Sequence, residues 1–410
     1  MSNELTFATP FTLPQGQTLK NRFFKSAMSE QLGDRQHNPT SKLARLYRTW
    51  AEGGLGLAVT GNVMIERTAL GEPKNVVLDT QSDLAAFRQW AEQGQVNGCQ
   101  LWMQLNHPGK QIPSYLSKEP VAPSAISLGG GLEYAFNKPR ALTEPEILDI
   151  IGKFATAARL AKETGFAGVQ IHGAHGYLVS QFLSPRHNQR TDQWGGSAEN
   201  RRRFVLELYR AIREAVGADF PVGIKLNSAD FMKGGFTEEE SMDVVKALAD
   251  AGIDLIEISG GTYESPSMVG YKIKESTLQR EAYFLEYAEK VRKLVKTPIV
   301  VTGGFRSGRA MLQALNSGAT DLIGLARPLA VQPDLPNRLL AEASYRIEMK
   351  RPSTGVNLVD RFSGLDIIWY EFQLERIAEG KRTKPDSSAW LAVVNTIGRM
   401  GVHAFAKRRA

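Results

Sequence analysis

The sequence predicts an α/β fold, a (β/α)8 TIM barrel, from three observations. Eight short runs rich in β-forming residues alternate with helical patterns, as in a parallel sheet built from βα units. The runs are almost continuously apolar, which is typical of strands covered on both faces. A doubly wound sheet is the alternative, but no G-x-G-x-x-G fingerprint follows any of the runs. A closed barrel is therefore favoured.

The elements follow one another in a regular order. The predicted strands are Phe23–Ala27, Leu57–Gly61, Cys99–Leu105, Gly168–His172, Pro221–Leu226, Asp254–Ser259, Pro298–Thr302 and Asp321–Leu325. The predicted helices are Ser41–Glu52, Ser82–Gln95, Pro145–Thr164, Glu199–Val216, Thr237–Asp250, Glu281–Leu294 and Ser307–Ser317. Capping boxes start two of these helices, at Thr143 with Glu146 and at Thr237 with Glu240. Glycines at the expected helix ends are Gly165, Gly217, Gly252 and Gly318.

The length of 410 residues exceeds the roughly 250 residues of a simple barrel, so insertions are expected. Residues 106–142, rich in Gly and Pro, follow the third strand and are predicted to form a lid. We divide the chain into a barrel, residues 1–345, and a C-terminal extension, residues 346–410. Both the lid and the segment 173–198 leave from the carboxyl ends of strands, where barrels build active sites.

The net charge of +7 raises the question of a nucleic-acid partner. Seven basic residues against Asp386 give the segment 381–410 a balance of +6, which leaves +1 for the first 380 residues. The basic character therefore belongs to the C-terminal segment, and a nucleic-acid surface on the barrel is not supported.

The composition also bears on location. The only cysteine, Cys99, excludes an intrachain disulfide framework and a cysteine-ligated iron–sulfur cluster. No segment approaches the ~20 apolar residues of a membrane span, and MSNELTFATP lacks the profile of a signal peptide. We expect a cytoplasmic protein.

The densest polar motif follows the fourth predicted strand. His172 and His175 leave the strand end, and Tyr177 follows two residues later. Two neutral imidazoles there could each donate an N–H to one substrate oxygen, polarising a carbonyl or nitro group. A nearby phenol could deliver a proton to carbon. For a histidine pair taken without its surroundings, metal ligands or structural loop residues are the favoured interpretation.

The surrounding motifs favour the catalytic interpretation. H-x-A-H-G-Y-L is followed by FLSP, N-x-R-x-D and G-G-S-x-E-N-R, and this series resembles the old yellow enzyme family over roughly residues 5–340. The resemblance implies bound FMN, a transient NADPH or NADH reductant, and reduction of an activated alkene or nitro compound. It also implies that His172, His175 and Tyr177 are catalytic and that no metal site is present.

The resemblance places the flavin ring against strands one, two, three and five. It implies that the backbone of Ser26, Ala27 and Met28 contacts the isoalloxazine, with Ser29 near flavin O4. Asn62 would line the same face, and Gln104 would bond the pyrimidine edge. Lys225 would lie by flavin N1 and the C2 carbonyl. Three of these positions depart from the common family residues, which are Thr or Cys for Ser29, Ala or Gly for Asn62, and Arg for Lys225.

The phosphate site is expected after the last two strands. Gly303 and Gly304 precede a helix and offer backbone N–H groups to an anion. Ala326 and Arg327 follow the eighth strand, and the guanidinium could clamp a phosphate directly. The ends of strands seven and eight form the usual phosphate site of this barrel.

The C-terminal extension matches no part of the family pattern. Ser388–Lys407 is predicted to form an amphipathic helix with a stripe of Trp390, Val394, Ile397 and Met400. Packing against the protein or a partner subunit is favoured over membrane contact, and a homo-oligomer is expected.

Other functions remain open. One alternative is an FMN barrel acting on a dienoyl thioester or on an amine, and another is a membrane-recruited flavin-binding redox protein.

Overall fold

The computed structural model of the chain describes residues 4–265, 281–356, 359–360 and 364–400. Eight parallel strands close into a barrel, with each strand beside its neighbours in the chain and the eighth beside the first. The strands, β1 to β8, are Phe23–Lys25, Leu57–Met64, Gln100–Asn106, Gly168–Gly173, Val222–Asn227, Leu255–Ser259, Ile299–Thr302 and Leu322–Leu325. The predicted (β/α)8 fold is confirmed.

The helices surround the barrel. Labelled α1 to α12 within the described ranges, they are Ser41–Glu52, Leu84–Gly94, Glu144–Glu163, Leu178–Leu183, Ala198–Val216, Glu238–Asp250, Leu285–Arg292, Gly308–Asn316, Arg327–Val331, Leu335–Ala341, Leu365–Ala378 and Ala389–Met400. Both predicted capping boxes are present. The four predicted terminal glycines all have positive φ.

One helix starts later than predicted. α7 begins at Leu285, four residues after the expected start at Glu281. Glu281 adopts a φ of 61°, and its carboxylate accepts hydrogen bonds from the backbone N–H groups of Arg306 and Ser307. A left-handed residue tied to another loop cannot continue a right-handed helix.

The interior of the barrel begins with an apolar layer. Phe24, Trp102, Leu255 and Val300 are fully buried there. A short hairpin, Phe11–Thr12 paired with Thr18–Leu19, packs its leucines against this layer. Large side chains therefore fill the base of the barrel, as in other barrels of this size.

A polar layer lies two residues further along the strands, because alternate residues point inward. Ser26, Gln104, Glu257 and Thr302 follow the apolar residues of β1, β3, β6 and β7 at this spacing. All four are buried. The barrel therefore changes from an apolar base to a polar floor beneath the mouth.

The insertion after β3 reaches the mouth of the barrel. Leu128, Leu132 and Phe136 of the insertion 106–142 pack against Tyr177 and Tyr263. The insertion thus covers one side of the mouth, and its opening and closing as a lid stay predictions.

The C-terminal extension adds two helices, of which α11 packs against α1 and α9 and α12 packs against α11. Its assignment as a separate unit from residue 346 stays a prediction. Among the helices that the structure describes, none is long and apolar enough to cross a bilayer.

The predicted contact stripe of the last helix is wrong at two positions, Trp390 and Val394, whereas Ile397 is partly buried and packs against the core. α12 buries Ala389, Ala392 and Val393, whereas Trp390 and Val394 are 43% and 62% exposed. Small side chains let α12 approach α11 closely. The face that carries the alanines therefore packs against α11, and Trp390 and Val394 point away from it. Residues 401–410, the end of the predicted helix, lie outside the described residues.

We expect the substitution Gly168→Ala to lower the free energy of unfolding by about 1–3 kcal/mol. A Cβ on Gly168 would lie 2.6 Å from the buried Trp102 ring, which has no room to move. Gly152 is the matched control, because it is exposed on α3 and a methyl group there would have nothing within 4 Å. Gly152→Ala should raise stability by roughly 0.5–1 kcal/mol. Urea unfolding measures both, and a Gly168→Ala protein as stable as the parent would contradict this packing.

Candidate active site

A deep cleft lies at the carboxyl ends of the strands, with about 1320 Å³ of empty space including its open mouth. Nearly all residues predicted to form the site line it: Ala27, Met28, Ser29, Asn62, Gln104, His172, His175, Tyr177, Lys225, Gly303, Gly304, Ala326 and Arg327. Ser26 is the exception, since it is fully buried in the polar floor, where its hydroxyl lies 2.6 Å from Glu257 and from Thr302. The sequence motifs therefore converge on one cavity.

The two histidine rings lie close together, edge to face, at the end of β4. Their ring centroids are 5.2 Å apart, and the His172 ring lies 4.8 Å from that of Tyr177. The backbone N–H of Ala174 donates to Nδ1 of His172 at 3.4 Å. An accepting Nδ1 carries no proton, so the proton of a neutral His172 is on Nε2. This tautomer is the one that can donate to a ligand through Nε2.

His175 is held by the neighbouring strands. Its φ is 62°, its backbone N–H donates to Asn227 Oδ1 at 3.2 Å, and its Nε2 lies 2.8 Å from the Ser259 hydroxyl. A non-glycine residue in the left-handed region is strained and persists where its surroundings fix it. The contacts to β5 and β6 therefore set the direction of this imidazole.

A second phenol accompanies Tyr177. The hydroxyls of Tyr177 and Tyr263 lie 2.6 Å apart, and both rings are buried beneath the insertion. Tyr263 comes from the loop after β6 and also lines the cleft. The two hydroxyls can share or exchange a proton.

The polar floor joins two of the predicted flavin contacts. Gln104 Nε2 donates to Gln170 Oε1 at 2.8 Å, and Gln170 Nε2 donates to Glu257 Oε2 at 2.8 Å. Lys225 Nζ lies 3.1 Å from Glu257 Oε1. A buried lysine needs such a partner, because an unpaired charge is costly to bury.

The β1 loop rests on a second buried cluster. Lys25 is fully buried, donates to the Val59 carbonyl at 2.8 Å, and has its pKa lowered to about 8 by burial. Burial raises the pKa of Glu30 to about 7, although the nearby Lys25 opposes the shift. The Tyr47 hydroxyl and the Gly61 N–H both donate to Glu30. These bonds tie the loop carrying Met28 and Ser29 to β2.

Ser29 has a partner of its own. Its hydroxyl donates to the Glu72 carboxylate. The hydroxyl proton of Ser29 is therefore directed towards a carboxylate, and its oxygen remains at the cleft wall.

The end of the cleft formed by the residues after β7 and β8 is cationic. Gly303 and Gly304 have φ values of 123° and 92°, a conformation that glycine adopts readily. Burial lowers the pKa of the Arg306 guanidinium, and so does the charge of the nearby Arg327. Two like charges beside a glycine turn fit a dianion such as a phosphate monoester.

This donor set fits FMN, the cofactor expected from the sequence. The arginines and the glycine turn would hold the phosphate, while Lys225 and the Gln104 amide would meet the polar edge of the ring. Met28, Ala27 and the β1 loop form the wall alongside. The cleft thus contains the cationic, amide and apolar groups that the phosphate, the pyrimidine edge and the ring face of FMN would require.

One wall of the cleft was not predicted. Helix α11 of the C-terminal extension contributes Asp366, Ile367, Tyr370, Glu371 and Leu374. Both oxygens of the Glu371 carboxylate accept from Gln31 Nε2 at 2.9 Å, and the Arg327 guanidinium carbon lies 5.9 Å from the centre of the Tyr370 ring. The extension is therefore part of the site.

Other missed residues had a usable signal. Arg306 directly follows the Gly-Gly-Phe turn after β7, and Tyr263 lies four residues after β6. Both stand at the strand ends where barrel sites are built. The α11 residues had no such signal, because only the tertiary packing of the extension brings them to the cleft.

Comparisons with known proteins identify the family of the chain. The model of the NADH:flavin oxidoreductase / NADH oxidase family matches residues 7–344. The NADH-dependent flavin oxidoreductase iliE of Hypocrea jecorina is 40% identical over 363 residues, which are 82% of this chain and 89% of that protein.

Two solved structures are similar as well. The old yellow enzyme homologue from Zymomonas mobilis has a TM-score of 0.70 and 26% identity, over 83% of this chain and 94% of that one. A 2-naphthoyl-CoA reductase, solved with 2-naphthoyl-CoA, has a TM-score of 0.76 and 29% identity, over 82% of this chain and 52% of that one. The chain therefore belongs to the NADH:flavin oxidoreductase / NADH oxidase family, the family of the old yellow enzymes, whose members are oxidoreductases that use FMN with NAD(P)H as reductant.

Proposed function

We propose that this enzyme reduces the activated C=C bond of α,β-unsaturated carbonyl or nitro compounds. The observation that carries the proposal is the group of His172, His175 and Tyr177 at one side of the cleft, with ring centroids 4.8 and 5.2 Å apart. Imidazole N–H groups beside a phenol suit a substrate with an oxygen to polarise and a carbon to protonate.

The histidines act on the substrate oxygen. When bound, FMN supplies the hydride chemistry, which no side chain of the protein can provide. His172 donates through Nε2, and His175, held by Asn227 and Ser259, approaches the same oxygen. Donors fixed in advance stabilise the negative charge that develops on that oxygen without having to reorganise.

Tyr177 delivers the proton to the α-carbon. The phenol is buried, which keeps bulk water from competing for this step. Tyr263, 2.6 Å away, is placed to return a proton to Tyr177 after each turnover. The covering insertion shields both phenols.

A second candidate substrate class is an unsaturated acyl thioester. The likeness to a reductase solved with 2-naphthoyl-CoA supports it. A thioester also carries a carbonyl oxygen that two imidazoles can polarise, whereas a simple amine offers no such oxygen. The amine alternative is therefore the weaker one.

The proposal includes the setting of the enzyme. The substrate is a small molecule, the protein acts in the cytoplasm as a homo-oligomer, and nucleic acid is not a partner. The near-neutral charge of the first 380 residues supports the last point.

Anaerobic titration tests the proposed reaction. NADH or NADPH should bleach the absorbance of the bound flavin, and 2-cyclohexenone should then restore it. A parallel titration with crotonyl-CoA tests the thioester. If the flavin absorbance recovered with crotonyl-CoA but not with 2-cyclohexenone, the unsaturated acyl thioester would be the favoured substrate class. Bleaching that neither acceptor reverses would contradict both.

The phenol pair provides a matched comparison. Tyr177→Phe should slow enone reduction by about 10²–10⁴-fold, because it removes the proton donor. Tyr263→Phe removes only the neighbouring hydroxyl and should cost at least tenfold less. In both variants, bleaching by the nicotinamide should keep its rate. If Tyr263→Phe were the slower variant, the roles of the two phenols would be exchanged. Rapid-mixing spectroscopy of the two half-reactions separates these outcomes.

The cationic end of the cleft predicts selectivity for the flavin phosphate. Arg306→Met should weaken FMN binding by about 10–100-fold, the range expected for a lost charged hydrogen bond. Binding of riboflavin, which lacks the phosphate, should be unaffected. Arg309→Met is the control, since Arg309 is exposed on α8. Fluorescence titration of the apoprotein gives both affinities, and equal losses for FMN and riboflavin would show that Arg306 does not bind the phosphate.

A further inference from the structure

Glu257 is a fully buried carboxylate at the centre of the polar floor, and the proposed reaction does not use it. Its Oε1 lies 3.1 Å from Lys225 Nζ, and Ser26 and Thr302 place their hydroxyls 2.6 and 2.9 Å from the same oxygen. Its Oε2 accepts from Gln170 at 2.8 Å. All of these neighbours are donors, and an ionised carboxylate accepts at every one of them.

The Glu257 carboxylate is linked to both side chains that are expected at the pyrimidine edge of the flavin, Lys225 and Gln104. It contacts Lys225 directly and reaches Gln104 through Gln170. The lysine side chain is only 5% exposed, and it meets solvent through the cleft. Its ammonium therefore has one carboxylate on the floor side and the ligand space on the other.

A lysine paired in this way is a weaker cation towards a ligand than a lone one. At short range, a carboxylate offsets much of the field of an ammonium group, and the offset is larger inside a protein than in water. A two-electron reduced flavin that is anionic depends on a positive field at its pyrimidine edge. The charge near that edge is one of the means by which a protein tunes a flavin.

We propose that Glu257 is a positioning residue that orients Lys225 and partly neutralises it, and so lowers the reduction potential of the bound flavin. This inference rests on the proposed placement of the flavin pyrimidine edge against Lys225 and Gln104. It concerns the cofactor alone and does not depend on which substrate is reduced. With Glu257 beside it, Lys225 can lie at the flavin ring without stabilising the reduced flavin so strongly that electron transfer to the substrate becomes unfavourable.

The reduction potential of the FMN-loaded enzyme tests the proposal. Glu257→Gln removes the charge and keeps an acceptor oxygen, so the equilibrium constant for flavin reduction should rise at least tenfold, equivalent to ~30 mV for a two-electron couple. Glu257→Asp keeps the charge and should stay within about threefold of the parent enzyme. Glu66→Gln is the control, because this carboxylate pairs with His107 and Lys153 outside the cleft. It should leave the potential unchanged.

The double variant Lys225→Gln/Glu257→Gln covers the case in which Glu257→Gln does not fold. Replacing both members of a buried pair is often tolerated when removal of one is not. Lys225→Gln alone should lower the equilibrium constant for reduction, and the second substitution should restore at least half of that loss on a logarithmic scale.

Three results would overturn the proposal: an unchanged potential in Glu257→Gln, an equal rise in Glu257→Asp, or no recovery in the double variant. Failure of the enone reaction with these shifts intact would refute only the proposed substrate. An intact enone reaction without the shifts would refute only the role of Glu257.

Discussion

The ion pair between Lys225 and Glu257 is the interaction on which the site depends. The pair places two charges inside the barrel, and a charge buried there is tolerated only with a partner and further hydrogen bonds. Ser26, Thr302 and Gln170 supply those bonds from three other strands. The pair therefore joins strands that are far apart in the sequence and forms the floor on which a planar ligand can rest.

Above this floor, positively charged side chains lie at one end of the cleft and hydrogen-bond donors lie on the other side. The cationic end carries Arg306 and Arg327, and the opposite side carries imidazoles and phenols. A phosphate-bearing cofactor would be held at the cationic end, which would leave the donors near His172 and Tyr177 for a second molecule. Helix α11 of the C-terminal extension lines the same cleft, so the extension contributes to the site.

The barrel and most of the cleft could be predicted from sequence because their signals are local. Apolar runs locate strands, capping residues locate helix starts, and a family motif such as H-x-A-H-G-Y-L locates side chains at strand ends. The remaining features depend on tertiary contacts. The sequence does not show that four donors surround Glu257. Ser26 is buried in the polar floor rather than at the cleft surface, and α12 packs through Ala392 rather than Trp390.

Isotope transfer tests the central claim most directly. With NADH carrying deuterium at C4 and 2-cyclohexenone as acceptor, the account predicts that the label appears at the β-carbon of cyclohexanone, while the α-hydrogen comes from water through Tyr177. Carbon and deuterium NMR of the product locate the label. A product that carries the label at the α-carbon, or a β-hydrogen drawn from solvent, would contradict hydride delivery to a substrate polarised by His172 and His175.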